Sequence, residues 1–165
     1  MPPVIVVMGV SGSGKTTIGT QLAERLALRY AEADSFHPAA NVAKMSAGIP
    51  LDDADRAPWL DAIAEWIKDS CGTGGVISCS ALRHRYRQRL RAACDDIWFL
   101  HLAVDKAVIA QRVAQRQGHY MPASLVDSQF AALEPLRPDE PGATVPANDQ
   151  PDRVVQAALD ALQHR

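Results

Sequence analysis

The sequence predicts an α/β fold, a parallel sheet with helices on both faces in one domain, and three observations carry that prediction. Short apolar runs alternate along the chain with stretches of helical periodicity. The first run, Val4-Ile5-Val6-Val7-Met8, feeds directly into Gly9-Val10-Ser11-Gly12-Ser13-Gly14-Lys15-Thr16, a complete G-x-x-x-x-G-K-[ST] phosphate loop. The third is size: 165 residues at 47% hydrophobic content supply one adequate core and leave no room for a large multi-domain machine.

Taken in order, strands are predicted at 4–8, 30–33, 75–79, 97–102 and 143–146. Helices fill the gaps, with apolar positions one turn apart: Ile18, Leu22 and Leu26 behind the phosphate loop, and Leu60, Ile63, Ala64 and Ile67 before the third strand. Leu82, Tyr86 and Leu90 follow that strand, and Val154, Val155, Ala158, Leu159 and Leu162 form the last stripe. Trp66, Trp98 and Phe99 read as core. Residues 135–151 carry five prolines and read as a loop around one short strand, because too little chain follows for a second domain.

Charge and cysteine content exclude several classes. A net charge of −2 gives no global field for nucleic acid or an anionic membrane. The arginine-rich run from Arg83 to Arg91 contains a tyrosine, yet its helical period makes Arg85, Arg89 and Arg91 a solvated flank beside a core-facing stripe. No apolar stretch approaches a membrane span and Met1-Pro2-Pro3 lacks a charged leader, so a cytoplasmic protein with no targeting segment is expected. Cys71, Cys79 and Cys94 are odd in number and show no metal-ligand spacing. Buried free thiols are expected, with Cys79 packing rather than reacting.

The phosphate loop assigns chemistry residue by residue. Gly9, Gly12 and Gly14 let backbone N–H groups curl around a polyphosphate, with Ser11 and Ser13 between them and Thr17 just beyond. Lys15 brings a mobile cation, the Thr16 hydroxyl can ligate Mg²⁺, and the helix start points its positive end at the anion. Parallel sheets bind ligands outside the carboxyl ends of their strands. The other exits offer Glu32-Ala33-Asp34-Ser35-Phe36-His37-Pro38, then Ser78-Cys79-Ser80-Ala81-Leu82-Arg83, then Pro146-Ala147-Asn148. Asp34 either faces the reacting phosphate or caps the helix beginning near Pro38. His37 either binds substrate or caps and packs. Arg83, in the first turn after its strand, can take a carboxylate bidentately.

These residues resemble the gluconokinases, small P-loop kinases related in fold to shikimate and nucleoside monophosphate kinases. Beyond the phosphate loop, the resemblance rests on Asp34 with His37-Pro38, Asn41 through Met45, Gly48 through Asp53, and Asp55-Arg56-Ala57-Pro58-Trp59-Leu60. It continues in Cys79-Ser80-Ala81-Leu82-Arg83 with Tyr86-Arg87, in Arg112, Arg116 and His119-Tyr120-Met121-Pro122, and in Ser128-Gln129-Phe130 with Leu133-Glu134. Ala33 stands where the family often has glycine, and Arg83 where lysine is common.

The resemblance implies a three-layer P-loop kinase fold over residues 1–165, a five-stranded parallel sheet with a short lid near 116–124. It implies transfer of the ATP γ-phosphoryl group to the 6-hydroxyl of D-gluconate with Mg²⁺, feeding the pentose phosphate and Entner–Doudoroff routes, and a homodimer. Lys15, Asp34 and Arg116 would be catalytic, Asp34 as the base or as the holder of a Mg²⁺-bound water, and Arg116 as an arginine finger in the lid. Arg112 and Asn148 would flank the adenine. Asp34, His37, Arg56, Trp59, Ser80, Arg83 and His119 would hold gluconate, whose hydroxyls and carboxylate require hydrogen-bonding groups and a cation. A kinase of another small acceptor and a silent nucleotide-binding module are the alternatives, distinguished by turnover.

Overall fold

The computed structural model describes residues 2–115 and 123–165. Strands β1 (Val4–Met8), β2 (Tyr30–Glu32), β3 (Gly75–Ser78), β4 (Ile97–Ala103) and β5 (Gly142–Pro146) form one sheet, parallel throughout, in the order β2-β3-β1-β4-β5. Around it lie α1 (Lys15–Leu26), α2 (Ala39–Ser46), α3 (Asp53–Ser70), α4 (His84–Arg91), α5 (Lys106–Gln115), α6 (Ala123–Ala132) and α7 (Pro151–Gln163). The expected α/β class and five-stranded parallel sheet are therefore present. All but the last two residues of the expected lid, Arg116 and His119 included, lie outside the described residues; those two open α6.

Strand β1 shows why helices sit on both faces. Its side chains alternate: Ile5 and Val7 enter one core with Ile18, Leu22, Leu100 and Val154, while Val4, Val6 and Met8 enter the other with Ile63, Ile67, Leu90 and Phe99. Both layers being apolar, the strand reads as an unbroken hydrophobic run. Strand β2 ends one residue earlier than expected because Ala33 starts a 3-10 turn, Ala33–Phe36, that turns the chain across the sheet edge. Trp98 and Phe99 are buried as expected, whereas Trp66 is partly buried with the Arg29 guanidinium over its ring.

Two expectations are corrected. The buried face of α4 is His84, Arg87 and Leu90, so Tyr86, expected on the buried stripe, is only half-buried, and Arg87, whose burial the sequence did not indicate, lies in the core. Arg87 Nε and Nη2 donate to the Glu140 carboxylate at 2.7 and 2.9 Å, and Nη1 donates to the Ala81 carbonyl at 2.8 Å. Burial is affordable because the charge is matched bidentately and its remaining donor meets a carbonyl. The second correction concerns the thiols: Cys71 and Cys94 are joined in a disulfide, their Cα atoms 5.7 Å apart. Packing of α3 on α4 brings the end of one helix to the turn after the other, a proximity that spacing in sequence does not reveal. Cys79 remains a buried free thiol, and burial pushes it up to about 12, which leaves it unreactive.

The Arg87–Glu140 pair sets the acid stability. Burial alone would raise the Glu140 carboxyl, but the Arg87 hydrogen bonds, the Arg137 N–H and the His84 ring outweigh it and hold the group at about 2, below its ordinary 4.5. A depressed carboxyl contributes stability that is fully present above pH 4.5 and is lost as pH falls toward 2. Arg87→Met leaves the carboxylate buried and uncompensated. It is expected to cost ~3–5 kcal/mol and to move the acid transition to higher pH, read from urea melts across a pH series. Superimposable pH profiles for the two proteins would contradict this account.

Candidate active site

The loop after β1 is shaped by backbone conformation before any side chain acts. Gly14 caps α1 in the left-handed region at φ 95°, which a β-carbon would penalise, and so turns the first N–H groups of the helix outward. The Ser13 hydroxyl is buried without a hydrogen-bond partner among the described residues. Lys15 Nζ donates to the Gly9 and Val10 carbonyls, both at 3.0 Å, holding the cation over the loop. Ser11 N donates to Gln129 Oε1 at 2.7 Å, tying the loop to α6.

Beside this loop lies a cavity of about 470 Å³ whose lining includes Gly12, Ser13, Gly14, Thr17, Arg112 and Asn148. Arg112 spans it: Nη1 donates to the Gly12 carbonyl at 3.2 Å and Nη2 to the Ala147 carbonyl at 2.8 Å. Its guanidinium thus bridges the phosphate loop and the β5–α7 connection. Asn148 Oδ1 accepts from the Asp105 N–H at 2.9 Å, so that side chain braces two loops.

On the other side, at the exit of β2, Thr16 Oγ1 donates to Glu32 Oε2 at 2.8 Å. Tyr30 donates to the same carboxylate oxygen at 2.7 Å and lies 2.7 Å from Ser78 Oγ, which in turn donates to the Lys15 carbonyl at 2.9 Å. Burial foremost, with the Glu32 hydrogen bond adding to it, pushes the Tyr30 hydroxyl up to about 12, so it stays a donor. Glu32 and Tyr30 were not among the residues singled out from sequence. The available signal was an acid at the strand end, two residues before Asp34.

The acceptor-side candidates gather between β2, α2, α3 and α4. Asp34 is exposed on the 3-10 turn; α2 is capped by Pro38 with no side-chain bond, so Asp34 does not cap it. His37 stacks on Trp59 with ring centroids 4.4 Å apart and an interplanar angle of 9°. Trp59 Nε1 donates to the Ala33 carbonyl at 2.7 Å, so its one polar atom serves the turn that carries Asp34. Burial lowers the His37 pKa; Asp34 opposes this and Arg56 reinforces it, placing all three groups in one electrostatic neighbourhood. Arg56 Nη1 lies 3.4 Å from the Tyr86 hydroxyl and 3.9 Å from Asp53. Ser80 accepts from the Gly9 N–H at 3.3 Å, bringing the β3 exit against the phosphate loop. Arg83, 40% exposed, stands 3.8 Å from Glu134 at the start of α4. Lys15, Asp34 and Glu32 all act on the buried Cys79 thiol, so the three charges lie within electrostatic reach of the end of β3.

The description "Shikimate kinase" belongs to the family profile that matches residues 11–162. A gluconokinase of Gluconobacter oxydans is 46% identical over 98% of this chain and 92% of its own length. The thermosensitive gluconokinase of Escherichia coli is 44% identical over 82% of this chain and 73% of its own. A gluconokinase from Sinorhizobium meliloti has a crystal structure that superposes with a TM-score of 0.91 at 41% identity, covering 99% of this chain and 93% of that one. The chain belongs to the gluconokinase family.

A shikimate kinase from Bacteroides thetaiotaomicron, 18% identical with a TM-score of 0.69, shares the fold. Among the described residues of this gluconokinase-family chain, no group of three or more His, Cys, Asp or Glu could hold a metal by itself. Thr16 and Glu32 nevertheless offer hard oxygen donors beside the phosphate loop, which suits Mg²⁺ arriving with nucleotide phosphates and needing few protein ligands. The clamp by Arg112 gives a direct test of the nucleotide cavity. Arg112→Met breaks both carbonyl contacts while keeping most of the side chain's bulk, and nucleotide Kd is expected to rise roughly ten- to a hundredfold. Isothermal titration with ADP measures it, and unchanged affinity would remove Arg112 from the site.

Proposed function

We propose that this chain transfers the γ-phosphoryl group of ATP to the 6-hydroxyl of D-gluconate, giving 6-phospho-D-gluconate. The observation that supports the reading is the cluster formed by Asp34 and His37, just after β2, with Arg56 on α3, on the same side of the chain's phosphate loop as the β2 and β3 exits. Thr16 and Glu32 would hold Mg²⁺, which when bound neutralises charge on the phosphates. Lys15 exchanges its two carbonyl contacts for phosphate oxygens and follows the charge as it builds toward the leaving β-phosphate.

Asp34 orients the 6-hydroxyl and takes its proton as the oxygen bonds to phosphorus and the bond to the ADP oxygen breaks. Arg83, with Arg56 behind it, supplies the cation for the gluconate carboxylate; Ser80 and His37 supply hydrogen bonds to hydroxyls. Trp59 acts through His37 and the Ala33 carbonyl. Arg116 and His119 belong to the same proposal, as the arginine finger and a substrate contact from the lid. No helix among the described residues is long and apolar enough to cross a membrane. A cytoplasmic homodimer, its assembly taken from the family resemblance alone, completes the reading.

A panel of D-gluconate, glucose, shikimate and nucleoside monophosphates with ATP and Mg²⁺, followed by ADP release, tests the substrate. Turnover on gluconate with little on glucose is expected, because glucose lacks the carboxylate. Arg83→Ala should raise the gluconate KM by roughly ten- to a hundredfold with ATP binding unchanged. Equal rates on gluconate and glucose would overturn the assignment.

Asp34→Asn separates chemistry from structure, since the amide keeps the shape and removes both base and charge. The kcat should fall roughly 10²–10⁴-fold while the melting temperature holds. Single-turnover transfer on the same sample checks it; retained transfer would take the base role away from Asp34.

A further inference from the structure

Asn41 is 2% exposed, on the first turn of α2, and both hydrogens of its side-chain amide are in use. One goes to the Asp55 carbonyl at 2.8 Å. The other faces His37 Nδ1 at 3.2 Å. A backbone carbonyl can only accept, so the amide nitrogen, not its oxygen, must face Asp55; the same nitrogen is then the atom that faces the imidazole. An N–H aimed at Nδ1 requires a lone pair there. The ring's one proton consequently sits on Nε2, and that nitrogen has no hydrogen-bond partner among the described residues.

One further contact and the surrounding charges favour this arrangement. Trp59 covers one face in a nearly parallel stack, which fixes the ring plane. Protonation would place an N–H against the Asn41 N–H, adding to the burial and to the Arg56 charge that already favour the neutral ring over the pull of Asp34.

We propose that Asn41 is a positioning residue that fixes His37 as the neutral Nε2–H tautomer, so that His37 meets the phosphoryl acceptor as a hydrogen-bond donor and cannot act as its base. With Nδ1 engaged and Nε2 already protonated, the ring has no free lone pair for a substrate proton. That leaves Asp34 as the proton acceptor in this cluster, and it makes His37 select for an oxygen acceptor such as a hydroxyl or carboxylate. The second half of the proposal rests on the gluconate reading; the tautomer does not.

Long-range ¹H–¹⁵N correlation on histidine-labelled protein reads the tautomer directly, with the His37 signals identified by their loss in His37→Gln. At neutral pH the expected pattern is a bare, pyridine-like Nδ1 and a proton-bearing Nε2. Asn41→Asp replaces the donor by an acceptor and should move the proton to Nδ1 or charge the ring, with gluconate KM rising about tenfold. A proton on Nδ1 in the unaltered protein overturns the proposal whether or not the variant folds, and so does an unmoved pattern in a folded Asn41→Asp. Adding D-gluconate should shift the Nε2–H resonance. A correct tautomer that no sugar acid perturbs would overturn the donor role while leaving the positioning of the ring by Asn41 intact.

Discussion

A guanidinium with no exposure to solvent must have its charge and its donors met by protein, and at Arg87 that requirement organises the ground beneath the site. Its contacts reach the Ala81 carbonyl just after β3, the Pro135 carbonyl after α6 and the Glu140 carboxylate before β5. Glu140 in turn accepts from the Arg137 N–H, closing the 137–140 turn on itself. Ala81, at φ 44° without being glycine, is kept in that conformation by the surrounding contacts. Ser80 and Arg83 flank it. Ser80 and Arg83, two of the residues proposed to meet the acceptor, therefore lie in a segment held by the Arg87–Glu140 pair, and segments distant in sequence are joined at one point.

The phosphate side depends on backbone rather than on charge burial. The phosphate loop was legible in the sequence because its glycines record backbone conformation, and the left-handed φ of Gly14 is such a record. The sheet was legible for a similar reason, since strands apolar on both faces can only be central parallel ones. Arg87 was not legible: four arginines on one helix look alike in one dimension, and only the position of Glu140, far along the chain, separates the buried one from its more exposed neighbours. The disulfide escaped for the same cause, as two cysteines say nothing of helix packing. His37 and Trp59 could be nominated from sequence, but their stacking, and the dependence of both on Ala33 and Asn41, are facts of tertiary geometry.

Division of labour within the acceptor cluster follows from what each polar atom already does. Trp59 has one donor and it is spent on Ala33. Asn41 has two, on Asp55 and His37. Lys44 is engaged with Asp55, whose carboxylate also accepts from the Asp52 N–H in the box that starts α3. Asp34 stands apart from this chain of commitments: exposed, on a tight turn, and capping nothing. A group meant to exchange a proton with substrate has to keep its lone pairs available, and the proposal gives that role to Asp34 because its carboxylate has no hydrogen-bond partner among the described residues.

A comparable economy links the strands to the phosphate loop. Tyr30 on β2 and Ser78 on β3 meet beneath the first turn of α1, and Ser78 holds the Lys15 carbonyl there. The helix can come this close only because residue 19 is glycine; a β-carbon would stand 2.6 Å from Ser78 Oγ and 2.7 Å from the Tyr30 ring. Through Tyr30 the same contact aims the Glu32 carboxylate at the Thr16 hydroxyl. The oxygen donors proposed for the metal are therefore positioned by packing within the folded chain, which limits the reorganisation that binding would require of them.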